Sequence, residues 1–130
     1  MNGTNAISAY RNIDAQSGVT DASPHQLITM LMEGALSRIA AAKGAMTRGE
    51  SARQGEMLGK AISIIDNMRA SLDAERGGEV ATRLRDLYDY MEAQLLKAGS
   101  SKEVATLDEV SGLLREIKSG WDAIPAEFRG

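Results

Sequence analysis

The chain has no cysteine, so neither a disulfide nor thiol chemistry enters its design, an absence that fits a cytosolic protein. His25 is the one histidine in 130 residues. Without cysteine and with a single histidine, structural zinc is excluded in practice. There are two prolines, Pro24 and Pro125, and aromatic residues make up only 4%. No run of about 18 apolar residues occurs, so membrane insertion is not expected. The opening residues, MNGTNAISAY, lack the basic start and apolar block of a secretion signal. The chain is therefore expected to stay where it is made, in the cytoplasm. Nor is there an excess of positive charge: 15 basic residues stand against 18 acidic ones, for a net charge of −3. Binding to phosphate backbones needs a basic surface, so nucleic acid is not expected as a partner.

What the chain does contain is helix-forming sequence. Apolar residues are 43%, a globular value, and Ala, Leu, Met, Glu and Arg are abundant. The stretch from Ser71 to Ala98 reads as a helix end, a tight Gly77-Gly78 corner and a long returning helix. Val80, Leu84, Leu87, Tyr88, Met91, Leu95 and Ala98 recur in steps of three and four, which is one apolar stripe. A short corner forces the two helices to lie antiparallel and side by side.

The other helices follow the same logic. Ser23-Pro24-His25-Gln26 reads as a capping box, with Ser as N-cap, Pro at N1 and Gln at N3. The helix it opens is predicted to run to about Arg48 and stop at Gly49. Its polar side is narrow, and Leu27, Ile28, Leu31, Met32, Leu36 and Ile39 leave apolar side chains on both flanks. Ser51-Ala52-Arg53-Gln54 is predicted to cap the second helix with a box of the same kind, with Met57, Leu58, Ala61, Ile62, Ile65, Met68 and Leu72 as its core stripe and Ile64 off that stripe. Gly99 suits a left-handed helix end, and Ser100 to Glu103 reads as a further capping box. Leu107, Val110, Leu114, Ile117, Trp121 and Ile124 then step along the last helix, with Leu114 and Trp121 assigned to the core. The expected fold is all-α: an antiparallel up-down-up-down four-helix bundle with a short N-terminal helical segment. Residues 1–22 form that segment, 23–125 the bundle and 126–130 a frayed tail.

Catalytic parts are scarce. His25, at the second position of a helix, reads as a solvated surface residue rather than a base. No Glu-x-x-His pair occurs for a bundle metal site, and Gly77-Gly78 is not followed by the Gly-Lys-Ser/Thr of a phosphate loop. Serines without a nearby base are not nucleophiles. Neither an enzyme nor a cofactor is expected. What remains is surface for binding. Six methionines besides Met1 suit partners of varied shape, although gap-filling in an aromatic-poor core accounts for at least half of them. Tyr88 and Tyr90 fall on different sides of their helix and cannot both enter one core. Ile7, Tyr10 and Ile13 have helical spacing in a segment too short to stand alone in water, so that segment needs a surface to lie on.

Several runs together carry a family resemblance. They are Ala22-Ser23-Pro24-His25-Gln26-Leu27-Ile28 with Met30-Leu31 and Glu33-Gly34-Ala35; Ser71-Leu72-Asp73 with Gly77-Gly78-Glu79; Leu87-Tyr88-Asp89-Tyr90-Met91; and Leu113-Leu114 with Trp121. In this order and spacing, over about Tyr10 to Ile124, the chain resembles the FliS family of flagellin-specific export chaperones. It departs from the family at Met32, where Tyr is common, and at Thr82-Arg83, where a stretch including Asn is common. The resemblance implies an antiparallel helical bundle that binds the disordered C-terminal segment of newly made flagellin in the cytoplasm. It implies that binding prevents premature polymerisation and delivers flagellin to the flagellar type III export gate. It also implies that the short N-terminal segment covers part of the binding surface when the client is absent.

The client contacts expected on this reading are Ile7, Tyr10, Ile28, Leu31, Met32, Ile64, Met68, Leu87, Tyr88 and Met91. The competing reading is a non-catalytic adaptor bundle that binds a folded partner or self-dimerises, since a homodimer would also cover spare apolar surface.

Overall fold

The computed structural model describes residues 22–72 and 74–128. The N-terminal segment, with Ile7, Tyr10 and Ile13, lies outside the described residues. Four α-helices follow in order: α1 Pro24–Thr47, α2 Ser51–Ala70, α3 Ala74–Ser101 and α4 Val104–Asp122. A 3-10 turn over Ala126–Phe128 stands where the sequence predicts a frayed tail. Contacts join α1 to α2, α2 to α3, α3 to α4 and α4 back to α1. This closed ring of neighbours, with short connections, is the four-helix bundle that the periodicity predicts.

The start of α1 is the predicted capping box. Ser23 Oγ accepts the Gln26 N–H at 3.1 Å, and Gln26 Oε1 accepts the Ser23 N–H at 2.8 Å. Its end is equally legible. Gly49 takes a left-handed φ of 72°, and the Glu50 N–H reaches back to the Ala45 carbonyl at 2.8 Å. That 6→1 bond, with the 3.3 Å bond from Gly49 N–H to Met46 O, is a Schellman closure.

The other two predicted boxes do not form. The N-cap of α2 is Glu50, without a side-chain cap, and Glu50 pairs with Arg48 at 2.9 Å instead. Gln54, predicted to complete a box with Ser51, is buried and donates from Nε2 to the Gly99 carbonyl across the bundle at 3.2 Å. A long-range bond to a part-buried carbonyl outweighs a local cap that water can replace. At the other corner α3 continues through Gly99 to Ser101, so Gly99 is helix interior. Lys102 takes the left-handed turn at φ 58°, and Glu103 is the N-cap of α4.

The Gly77-Gly78 corner also differs from expectation. The α2 helix ends at Ala70, and residues 74–77 already form a helical turn before the chain breaks at Gly78, with φ 51° and ψ −126°. Only glycine adopts such a pair of angles without strain. Gly77 is needed for a separate reason: a Cβ there would sit 2.8 Å from the Ala81 Cβ.

Inside the ring, Met32, Ile39, Ile65, Met68, Met91, Leu95, Leu107, Val110 and Leu114 are fully buried. Each contributes roughly 1.5–3 kcal/mol by leaving water. Ala35, Ala42, Ala45 and Ala61 are buried along α1 and α2, where their small side chains let the helices approach closely. Surface ion pairs such as Lys43–Asp108 and Arg83–Glu79 are exposed at both ends and add little.

The last corner yields a test. Lys102→Gly removes a side chain from left-handed backbone, and Gly99→Ala adds helix propensity where the new Cβ meets Leu58 Cδ1 at an ordinary 3.5 Å. Each substitution is expected to raise unfolding free energy by about 1 kcal/mol in urea denaturation. Were α3 to end at Gly99 instead, Gly99→Ala would destabilise.

Candidate functional site

The bundle is closed along its middle and open at one end. Where α1 and α3 begin and α2 and α4 finish, the helices leave an apolar groove of about 390 Å³. Pro24, Ile28 and Met32 enter from α1, Met68, Ser71 and Leu72 from the end of α2, and Ile117 and Trp121 from α4. The opposite wall is the start of α3: Gly77, Val80, Ala81, Leu84 and Tyr88. Ser71 is the one hydroxyl besides Tyr88 in this wall, and its Oγ is bonded to the Met68 carbonyl at 2.8 Å.

Local sequence explains why the groove opens here. The Gly78 break interrupts α3 just where the core stripe would continue, so Val80 does not reach the interior. It is 67% exposed at the groove rim, against its expected place in the stripe. Ile28 and Leu84, one turn or more further in, are half-buried and pack on the core.

The expected contacts separate into groups. Ile28, Met32, Met68 and Tyr88 all line the groove. Ile64 and Leu87 are half-buried against the core edge but are not part of its lining. Leu31 and Met91 are sealed within the core, Met91 completely. Ile7 and Tyr10 lie outside the described residues. The residues not foreseen are mostly at helix ends: Pro24, Ser71, Leu72, Val80 and Ala81, with Ile117 and Trp121 taken from the predicted core stripe. The usable signal was convergence. These residues all fall within two turns of a helix start or stop on the same end of the bundle.

His25 contradicts its reading as a solvated surface residue. It is 6% exposed, and its ring lies parallel to the Trp121 indole with centroids 4.6 Å apart. Its Nε2 is 2.8 Å from the Trp121 carbonyl, while Trp121 Nε1 donates to the His25 carbonyl at 3.0 Å. The helical phase of α1 puts His25 toward α4, which position in the sequence alone did not convey.

The two tyrosines part as predicted. Tyr90 is exposed, and its hydroxyl bonds to Glu109 across the α3–α4 seam at 3.0 Å. Tyr88 is 3% exposed, and burial pushes its phenol up to about 12. On a neighbouring surface, Glu92 is held above the usual carboxylate range by burial and then by Asp66 and Asp89. Among the described residues no group of three or more His, Asp or Glu is placed to hold a metal ion, and no helix is long and apolar enough to cross a membrane. The groove offers no acid–base pair; what it can do is accept apolar side chains.

The Tyr88 phenol predicts an alkaline limit. It stays neutral in the fold to about pH 12, whereas in the unfolded chain it ionises near pH 10, so unfolding gains from rising pH above 10. Stability present below pH 10 should fall by roughly 2–3 kcal/mol toward pH 12 from this group. Subtracting the profile of Tyr88→Phe from wild type in denaturant titrations isolates it. Parallel profiles between pH 9 and 11.5 would exclude the effect.

Comparison with known proteins accords with this architecture. Residues 6–127 match the family model described as Flagellar protein FliS. The chain is 50% identical over 119 residues to the flagellar secretion chaperone FliSB of Pseudomonas aeruginosa, covering 92% of this chain and 94% of that protein. It is 46% identical over 119 residues to the flagellar secretion chaperone FliS of Salmonella typhimurium, covering 91% and 88%. With the FliS of Vibrio cholerae it shares 42% identity over 123 residues, covering 95% and 90%. The chain belongs to the FliS family of flagellar secretion chaperones, proteins of export in flagellum biogenesis.

Proposed function

We propose that this chain is a cytoplasmic export chaperone that binds the disordered C-terminal segment of flagellin, prevents its premature polymerisation and delivers it to components of the flagellar type III export gate. The observation that supports this most is the groove, about 390 Å³ of space with almost wholly apolar walls at the end where all four helices meet. Apolar wall left in water costs about 25 cal/mol per Å². A guest that is disordered when free and helical when bound presents apolar side chains at helical spacing to such a cleft. Its ordering entropy offsets part of the gain, so the complex is firm yet releasable. Met32 and Met68 in the wall are unbranched and can follow the shape of the guest.

The contacts proposed in the groove are Ile28, Met32, Met68 and Tyr88, with the half-buried Ile64 and Leu87 extending the surface along α2 and α3. Leu31 and Met91 contribute from beneath, by holding those walls in place. Ile7 and Tyr10 act from the N-terminal segment, which serves as a placeholder on the groove when flagellin is absent. In support of that role, Pro24, the first residue of α1, is itself groove wall.

Titration with a flagellin C-terminal peptide tests the proposal. Far-ultraviolet circular dichroism is expected to show more helix in the mixture than in the sum of the parts. Ile28→Asp should lower the affinity more than tenfold, as loss of a central apolar anchor does, while leaving the free protein's helix content unchanged. A peptide that binds without gaining helix, or that ignores Ile28→Asp, would point instead to an adaptor or a dimer that uses another face. Deleting residues 1–14 should leave the bundle folded and tighten peptide binding, because a competitor for the groove is removed. If that deletion unfolds the protein, the segment belongs to the core and the placeholder role is wrong.

A further inference from the structure

The stacked pair at the groove's edge invites a functional reading. His25 and Trp121 are 96 positions apart in sequence, yet each side chain bonds to the other's backbone carbonyl. Because a carbonyl only accepts, the Trp121 oxygen requires the His25 proton to sit on Nε2. The Trp121 carbonyl lies in the last turn of α4, where carbonyls have no helical partner, and it accepts from His25 and from the Ile124 N–H at 3.3 Å. The His25 carbonyl accepts from Trp121 Nε1 and from Thr29 Oγ1 at 3.2 Å. The capping box at Ser23 fixes the first turn of α1 and therefore fixes His25.

Two hydrogen bonds and a parallel stack are more than a simple packing contact needs. An indole free of them would rotate about its two side-chain torsions. Held by them, Trp121 keeps one face on the His25 ring, and the rest of the indole closes the groove beside Pro24, Ile28 and Ile117. The indole is the largest flat surface in the groove wall and the only tryptophan of the chain.

We propose that His25 is a positioning residue for the groove: it holds the Trp121 indole as the end wall against which the guest packs. This rests on reading the groove as the guest site. The tie between α1 and α4 then links the shape of the groove to the register of two helix ends. A guest side chain that reaches the indole meets a preformed flat wall and does not spend binding energy on ordering it.

The experiment uses the full-length protein, with His25→Ala, His25→Gln and Trp121→Phe beside wild type. Trp121 emission and its quenching by acrylamide are recorded first without peptide. His25→Ala should shift emission to the red and raise quenching, because the released indole meets water. His25→Gln, which restores an N–H donor near the Trp121 carbonyl without the ring, should fall between the two. Quenching that is identical in wild type and His25→Ala overturns the proposal.

Flagellin C-terminal peptide is then titrated. Wild type should bind with a change in Trp121 emission, and His25→Ala should bind roughly five- to tenfold more weakly at unchanged helix content. In the Trp121→Phe background, which already lacks the indole and its N–H, His25→Ala should cost much less. Equal affinity loss in both backgrounds would make His25 a structural residue that acts independently of Trp121, and would defeat the proposal. If His25→Ala does not fold, His25→Gln takes its place in both measurements, and quenching or peptide affinity unchanged from wild type in that variant overturns the proposal. Failure of the peptide to bind wild type would overturn the preceding functional reading, and the positioning role would then be judged on quenching alone.

Discussion

Apolar surface in this protein is covered by pairing helices side by side, and that pairing fails at one end of the bundle. Along the middle, each helix has two neighbours, and residues such as Ile39, Ile65, Leu95 and Leu107 are sealed. Toward the end where α1 begins, α2 stops at Ala70 and the break at Gly78 interrupts α3. Ile28, Leu84 and Ile117 keep their inward phase but lose part of their cover. The groove is thus the continuation of the core past the point where the backbone can close it. Met32, Met68 and Tyr88 belong to both, buried on one side and lining the groove on the other. This continuity means that whatever occupies the groove extends the hydrophobic core of the chaperone.

Polar interactions in the bundle serve to place helices rather than to hold them. The ion pairs lie on the surface, where screening and side-chain entropy leave them a small net effect. The long-range bonds that matter reach the helix ends. Gln54 bonds to the Gly99 carbonyl at the closed end, and His25 and Trp121 tie α1 to α4 at the open one. The Gly99 and Trp121 carbonyls lie in the last turns of α3 and α4, where helical partners run out. The two ends of the bundle are therefore fixed by different means. The closed end relies on buried alanines and tight corners, and the open end on a stacked pair whose aromatic half is also groove wall.

On the proposed reading, the groove has to hold a segment of its guest and let it go. An apolar groove at a bundle end meets both needs, because its walls are preformed and Val80 leaves its α3 rim exposed to water. Val80 stands out at the rim, two residues after the one position in the described helices where glycine geometry replaces helix geometry.

Helix positions, the order of the helices and most of the core followed from apolar spacing, because a stripe of period 3.6 has only one way to be buried in an antiparallel bundle. The cap at Ser23 and the stop at Gly49 were legible for the same reason: both are settled by residues within one turn. The failures have the opposite character. Ser51 and Ser100 carry the right neighbours for a capping box, yet Gln54 is drawn to the Gly99 carbonyl and the corner at Lys102 shifts the end of α3 by most of a turn. Half of the expected described contacts, Ile28, Met32, Met68 and Tyr88, do line the groove, while Leu31 and Met91 share their periodicity but not their location. Helical phase tells which side of a helix is apolar, but the side facing the axis is core at mid-length and groove at the end. What the sequence determined by itself was that four amphipathic helices fold back on one another. Tertiary structure alone decided where their shared apolar face runs out of cover, and that His25 turns inward to meet Trp121, because both depend on which helix ends coincide in space.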